Sequence, residues 1–507
     1  MTTTLDRRGR LLALLATVAL LCALPGDALG FPFKAARARH RILTLDLDGA
    51  AAILTGDDDS ADVAIERGRL ALFRGDCDGA VATLERPDLE DDDESAALLS
   101  IALGCARGSA ATVIRRDERG VVVRFQDDED EALFPLIVEA ALATRESLAR
   151  DLGTRLPLPI FIDLVRDQLT LAAMSGLPER AAQTTGTVAV AKWGRVMMIS
   201  PRAAGQGYPW LDTLAHELAH LVISQATAER APLWLQEGVA KRQETRWREP
   251  TPFDGFPPPD AVAWQGIQRG LALPLTELGP SIAMLPSPEQ ASIAFAEVVS
   301  FMHFWVDQVG AEALPKLLEE IRDALPGSDA NSAIAKVSNV PLAEWDRRWR
   351  AYLAAKAPSL PAEYTPGTVF AAGPKLARRR RLGQLLLDRR HFHAAAKQLS
   401  RAHRLLPTEA SLRCLYADAL RGQGHEVDAA ALVTVPGDVR LPTGRWWSLH
   451  DLFQLGDALP RSRWHALGND PLDPPIPCHE LPEGEYPSDP LHRAICEAAW
   501  RMPRVNY

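Results

Sequence analysis

The sequence predicts an α+β fold, in which a small mixed sheet and long helices form a central domain between two helical segments. Short β-branched runs at Val121–Phe125 and Pro159–Leu164 indicate two strands. Two more runs, Thr187–Ala191 and Arg195–Ser200, flank Lys192-Trp193-Gly194, which is typical of a hairpin turn. Helical patterns follow these strands, and this order favours α+β over a regularly alternating parallel fold.

A chain of 507 residues is too long for one hydrophobic core, so we expect several domains. Its hydrophobic fraction of 47% and charged fraction of 24% are typical of a folded globular protein. The net charge of −10 argues against a nucleic-acid partner, because phosphate binding needs clustered positive charge. The predicted organisation is a signal peptide at 1–30, a helical segment at 31–111, the α+β domain at 112–358, helical repeats at 359–440 and a tail rich in proline and tryptophan at 441–507.

The N-terminus has the pattern of a secretory signal peptide. Arg7, Arg8 and Arg10 precede an apolar stretch at Leu11–Leu24, and a small-x-small site follows at Ala28-Leu29-Gly30. We predict cleavage after Gly30 and export to the periplasm or the cell exterior, with an uncleaved anchor as the alternative. No later segment has about eighteen consecutive apolar residues, so we expect no membrane span in the mature chain.

Export permits disulfide bonds, and cleavage would leave five cysteines: Cys77, Cys105, Cys414, Cys478 and Cys496. Cys77 with Cys105 could join neighbouring helices, and Cys478 with Cys496 could close a loop of the tail. Spacing alone does not fix the pairing, and one of the five must stay single within a chain.

Small residues recur at helical spacing near both ends of the chain. The steps from Gly383 to Ala417 and from Ala395 to Ala429 are both 34 residues. Small residues at this period allow two antiparallel helices to pack closely, and the pattern resembles the tetratricopeptide repeat (TPR). A generic array of helical hairpins is the alternative. The N-terminal segment has a similar layout at Gly68, Gly75, Ala80 and Leu84.

The strongest chemical signal is His216-Glu217-Leu218-Ala219-His220, an HExxH pattern. Two histidines four residues apart share one face of a helix and can take two corners of a Zn²⁺ tetrahedron. Glu237, on the next predicted helix, is the candidate third ligand, which leaves the open corner that is typical of catalytic zinc. An amphipathic helix carrying two surface histidines is the alternative interpretation. The apolar stripe of this helix is Leu214, Leu218, Leu221 and Val222.

The motif and its surroundings resemble a known enzyme family. Leu211–His220 and Ala231–Ala240, which contains Trp234-Leu235-Gln236-Glu237-Gly238, are similar to the peptidase-MA-like gluzincins, a thermolysin-like metallopeptidase family. Trp345–Leu353 looks like the aromatic helix that often closes that domain. The resemblance extends over roughly 112–358 and is most specific around the metal ligands.

The resemblance implies a zincin fold and an exported zinc metallopeptidase that hydrolyses peptide bonds. In this chain His216, His220 and Glu237 would bind one Zn²⁺, and Glu217 would act as general base on the zinc-bound water. The substrate would be a peptide or protein whose strand pairs with the sheet edge before the zinc helix, within Gly186–Ala191.

Two positions depart from the family pattern. Thermolysin-like enzymes commonly place a carboxylate four residues after the glutamate ligand, where this chain has Lys241. Asp212 and Glu244 are the candidates to orient a histidine instead.

Related gluzincins also often carry a tyrosine on a later helix that stabilises the oxyanion. In the comparable stretch this chain has Phe295, so Tyr208 and His303 are the candidate donors.

The second functional hypothesis is an interaction protein. A catalytically weak or inactive zincin would then act as a TPR-type scaffold in the cell envelope, with a protein partner on the helical repeats. The presence of Glu217 favours the enzyme, because a scaffold has no need of a general base. A serine or cysteine hydrolase finds no support, since no strand-turn-helix nucleophile motif is present.

Overall fold

The computed structural model describes residues 31–177, 187–201, 208–248, 257–278, 282, 285–324, 330–360, 365–405 and 410–433. It is 68% helical with one small mixed sheet of five strands, which confirms the α+β prediction. The predicted signal peptide, the tail at 441–507, and the side chains of Cys414, Cys478 and Cys496 lie outside the described residues.

The helices that surround the sheet and those that form the terminal segments are numbered in chain order. They are α1 (Phe31–Leu43), α2 (Leu47–Ile53), α3 (Ala61–Arg74), α4 (Cys77–Leu84), α5 (Asp93–Ser109), α6 (Phe134–Leu152), α7 (Gln168–Ser175), α8 (Trp210–Thr227), α9 (Leu233–Gln243), α10 (Pro259–Gln268), α11 (Pro288–Val309), α12 (Ala313–Asp323), α13 (Ala330–Ser338), α14 (Leu342–Lys356), α15 (Pro366–Asp388), α16 (Phe392–His403), α17 (Ala410–Arg421) and α18 (Glu426–Val433). The strands are β1 (Val113–Asp117), β2 (Val121–Phe125), β3 (Ile160–Val165), β4 (Ala189–Lys192) and β5 (Arg195–Ile199).

The sheet has the order β1-β2-β3-β5-β4, with parallel pairs in the centre and an antiparallel hairpin at each side. Four of the five strands lie within two residues of the predicted runs. Strand β1 was not predicted from the sequence. Three of its five residues are exposed and three are charged, so Val113–Asp117 lacks the alternating apolar pattern of a half-buried strand.

The predicted hairpin turn between β4 and β5 is present, but it is a two-residue loop and Lys192 belongs to β4. Trp193 and Gly194 have φ angles of 56° and 67°. Positive φ at both central residues is the geometry of a type I′ turn, whose twist matches that of the strands it joins. The turn therefore holds β4 as the outer strand, next to α8.

Helix α8 carries the HExxH pattern, and its apolar stripe drives it into the core. Leu214, Leu218 and Val222 are fully buried, and Leu221 is 5% exposed. The helix packs against α6, α9, β4 and β5. The stripe thus fixes the rotation of α8 about its axis, and with it the direction in which the motif residues point.

A glycine allows α9 to approach α11 closely. A Cβ built on Gly238 would lie 2.5 Å from Met302 Cγ and 2.9 Å from the Val298 carbonyl oxygen. Any larger residue would have to displace backbone as well as a side chain. The adjacent Glu237 therefore lies where α9 packs closely on α11.

The chain divides into two compact units, Met1–Leu103 and Gly104–Tyr507. The first unit is helical, as predicted for the segment after the signal peptide. Within it, a Cβ on Gly68 would lie 2.5 Å from Leu84 Cγ, so α3 and α4 pack in near contact. Cys77 in α4 is disulfide-bonded.

In the second unit, α15–α18 form helical hairpins, in which two helices are again in near contact at a glycine. A Cβ on Gly383 would lie 2.5 Å from Leu399 Cγ, and Ala395, Ala402 and Ala417 are fully buried. The hairpins contact α11 through α15. None of the helices in the described part of the chain combines the length and apolarity that a membrane crossing requires.

Candidate metal centre

The two histidines of the HExxH pattern lie one turn apart on α8 and point to the same place. Their Nε2 atoms are 3.1 Å apart. Both side chains are largely buried, at 15% exposure for His216 and 11% for His220. The i, i+4 spacing together with the buried stripe of α8 therefore brings two ring nitrogens to one point beside the core.

Glu237 of α9 completes the group. Its Oε2 atom lies 3.3 Å from His216 Nε2 and 3.6 Å from His220 Nε2. Among the described residues, these three are the His, Cys, Asp or Glu side chains whose ligand atoms cluster closely enough to hold a metal ion. The structure thus brings together all three predicted ligands.

The spacing of these atoms fits a tetrahedral ion. With metal–ligand bonds of about 2.0–2.1 Å, two corners of a tetrahedron are ~3.3–3.4 Å apart. The three measured distances, 3.1, 3.3 and 3.6 Å, surround that value. Two imidazoles and one carboxylate are also the ligand set of many catalytic zinc sites.

The two histidines and the carboxylates beside them shift one another's pKa values. Burial opposes protonation of His216, but the carboxylates of Glu237 and Glu244 outweigh it and raise the His216 pKa to about 10. The His220 pKa is also raised, with Glu237 outweighing burial. Conversely, burial opposes ionisation of Glu237, yet the two histidines lower its pKa. A metal cation bound to the ring nitrogens of the two histidines would take the place of these protons.

Glu217 interacts electrostatically with His216, His220 and Glu237 and also with the backbone of the sheet edge. It is 8% exposed, and burial raises its pKa, which both histidines partly offset. The backbone N–H of Ala191 in β4 lies close enough to its carboxylate to lower its pKa. Glu217 is therefore held between the metal group and the edge strand, where a general base would need to be.

The carboxylate that supports His216 is Glu244. Its Oε2 atom lies 3.4 Å from His216 Nδ1, and its other oxygen accepts a hydrogen bond from Lys241 Nζ at 2.6 Å. Burial opposes ionisation, but Lys241 and His216 lower the Glu244 pKa to about 2. Lys241 thus stabilises the ionised carboxylate from one turn earlier in the helix.

Asp212, the other candidate, has different partners. Arg248 Nε and Nη2 donate to its two oxygens at 2.8 and 2.5 Å, and Trp247 Nε1 donates at 2.9 Å. This buried ion pair ties the first turn of α8 to the segment after α9. Asp212 therefore contributes to the packing of the two helices, and Glu244 is the residue that contacts His216, a candidate metal ligand.

Gln236 is a supporting residue that the sequence analysis missed. Its Nε2 donates to the Ala231 carbonyl at 2.9 Å, which leaves its Oε1 facing His220 Nδ1 at 3.4 Å. This arrangement favours the tautomer with a proton on Nδ1 and a free Nε2. Its position directly before Glu237 was the only available signal.

The two candidate oxyanion donors lie in different places. Tyr208 is close enough to Glu217 for the two to interact electrostatically; burial and this carboxylate raise its pKa. Its hydroxyl donates to the Ile199 carbonyl at the end of β5. The charged neighbours of His303 are Arg242, Arg246, Asp260 and Asp307, which are separate from the metal group. Of the two, Tyr208 is the residue near the base.

Comparison of the sequence with protein-family models assigns no family to this chain. The sequence matches no protein-family model and no curated protein.

Proposed function

We propose that the protein is a zinc metallopeptidase that binds one Zn²⁺ through His216, His220 and Glu237. The observation that carries the proposal is the close group of three ligand atoms next to a glutamate that contacts the sheet edge. A surface pair of histidines would need neither a carboxylate between them nor carboxylate and amide oxygens 3.4 Å from their other ring nitrogens.

The residues of the chain have separate roles in this proposal. Zinc bound here would supply a Lewis acid and lower the pKa of a water molecule to about 7. Glu217 accepts a proton as water attacks the peptide carbonyl, and it delivers that proton to the leaving amine. Glu244 and Gln236 keep the histidine rings oriented. Tyr208 lies near the base, and its hydroxyl would have to leave the Ile199 carbonyl to donate to the developing oxyanion.

The outer edge of β4 presents backbone groups with which a peptide substrate can pair. The Ile199 N–H donates to the Val188 carbonyl at 2.8 Å. Because hydrogen-bonded pairs alternate along antiparallel strands, the backbone groups of Ala189 and Ala191 face away from β5. None of the described strands pairs with this edge. An extended substrate can therefore add to the sheet directly beside Glu217.

The remaining parts of the proposal follow the resemblance found in the sequence. The domain at 112–358 would be a gluzincin-type zincin, and the hairpins of α15–α18 would be TPR-like repeats that bind a protein partner. Export after removal of the signal peptide at 1–30 would place the enzyme in the periplasm or outside the cell. The interaction of Glu217 with Ala191 favours an enzyme over an inactive scaffold, because this contact has no role in metal binding.

The experiment that tests the proposal combines metal analysis with turnover. Mature protein is purified without chelators, its zinc is counted by mass spectrometry, and hydrolysis of a randomised peptide library is followed. We expect about one zinc per chain and measurable cleavage. Glu217→Gln should keep the zinc and lose cleavage by about 10³-fold or more, because the base is removed and the ligands remain.

Two results would contradict the proposal in different ways. Absence of zinc in wild-type protein, even after reconstitution, would remove the metal site. Equal cleavage by wild-type and Glu217→Gln protein would keep the metal and rule out Glu217 as the base.

A further inference from the structure

The tip of the β4–β5 hairpin carries an exposed lysine beside the proposed catalytic base. Lys192 is the last residue of β4 and follows Ala191, whose N–H contacts the Glu217 carboxylate. The Lys192 ammonium lies over the Trp193 ring, 4.8 Å from its centroid. Trp193 itself is half-buried, so it is an anchored surface for the lysine side chain.

The two lysines near the metal group differ in their partners. Lys241 donates to Glu244 at 2.6 Å and is therefore neutralised. Burial lowers the Lys192 pKa and Glu229 partly offsets this, but Lys192 forms no ion pair with any carboxylate in the described part of the chain. An exposed ammonium that is held on an aromatic ring, without a paired carboxylate, is available to an acidic group of a ligand.

The register of β4 places this charge next to a bound peptide. A chain that adds to the outer edge of β4 has one residue directly opposite Lys192. Neighbours across strands share a face of the sheet, so that residue directs its side chain toward the lysine in either chain direction. The next residue along faces Ala191 and lies beside Glu217.

We propose that Lys192, held by Trp193, makes the site selective for peptides with an Asp or Glu within two residues of the cleaved bond. This inference rests on the proposed peptidase function and names its substrate class. Lys192 is a specificity residue and takes no part in proton transfer. A cross-strand pair of opposite charge gives on the order of two- to five-fold preference.

The test uses a randomised octapeptide library and the full mature protein loaded with zinc. Cleavage sites are read by mass spectrometry, and the frequency of Asp and Glu near the cut is divided by that of Asn and Gln. We expect a ratio of about two to five for wild-type protein and about one for Lys192→Met, which keeps the length of the side chain without its charge. The control is Lys336→Met, because Lys336 is exposed on α13 and paired with Glu320 at 2.8 Å. This control should keep the wild-type ratio.

A binding measurement separates this inference from the peptidase proposal. Immobilised Glu217→Gln protein is incubated with the same library, and the retained peptides are sequenced, with and without Lys192→Met in addition. Acidic enrichment that depends on Lys192, without cleavage by wild-type protein, would support the subsite and reject the peptidase. An acidic ratio near one, a ratio unchanged by Lys192→Met, or no retained peptide together with no cleavage would each overturn the inference.

Discussion

Two buried glutamates on neighbouring helices, Glu237 of α9 and Glu297 of α11, differ in charge. The Glu237 side chain is 16% exposed, and the two histidines beside it lower its pKa despite burial. Glu297 is fully buried, and burial raises its pKa to about 8, although the Leu273 N–H at 3.1 Å and Arg350 at 3.6 Å partly offset the effect. One glutamate is therefore ionised at neutral pH and the other is mostly protonated.

The difference teaches that burial alone does not make a carboxylate a metal ligand. Desolvation disfavours the charged form in both places. At Glu237, two imidazoles within 3.6 Å compensate, and the site is ready for a cation once their protons leave. Among the described residues, the cation that lowers the Glu297 pKa is the Arg350 guanidinium, which lies 3.6 Å away, beyond hydrogen-bond distance, and does not compensate.

The largest expected effect comes from exchanging each glutamate for glutamine. Glu237→Gln should lower zinc affinity by more than about 100-fold. It removes a ligand itself, whereas loss of a residue that only orients a ligand costs about 10- to 100-fold. Glu297→Gln should keep one zinc per chain. Zinc titration against a competing chelator measures both. Similar zinc affinities for Glu237→Gln and Glu297→Gln would show that Glu237 is not a zinc ligand.

A smaller effect is expected at Glu244. Glu244→Gln removes the negative charge beside His216 Nδ1 and should weaken zinc binding by about 10- to 100-fold while leaving the fold intact. The same chelator competition measures it. The control is Glu319→Gln, an exposed glutamate of α12 that pairs with Arg322. If zinc affinity is the same in Glu244→Gln and Glu319→Gln, Glu244 does not support His216 as a zinc ligand.

A separate prediction concerns the pH dependence of stability. In the folded chain Glu297 keeps its proton to about pH 8, whereas an unfolded glutamate loses it near 4.5. Between these values the folded state binds more protons, so the free energy of unfolding falls as pH rises, by at most ~1.4 kcal/mol per pH unit. Glu297→Gln should flatten this slope.

Urea denaturation of both proteins from pH 5 to pH 8 checks the prediction. The stability of Glu297→Gln relative to wild type should increase steadily across this range. A constant difference would mean that Glu297 is ionised in the folded state as well.

Much of the fold and of the candidate site could be predicted because the signals are local. The HExxH spacing depends on helical geometry, and the apolar stripe of α8 shows which face is buried. The turn at Trp193-Gly194 and the glycine beside Glu237 were also visible in the sequence. Strand β1 could not be predicted, since its mostly exposed, charged residues pair only because β2 lies beside them.

The residue order determined that His216 and His220 share a face, that Glu217 lies between them on the helix and that Glu237 is the candidate third ligand. These facts follow from 3.6 residues per turn and from residue type. Folding decided that Glu244 rather than Asp212 contacts His216, that Gln236 faces His220, and that Ala191 meets Glu217. Each of these contacts joins separate elements or distant turns, so it depends on how α8, α9 and β4 pack, and packing is set by the whole core.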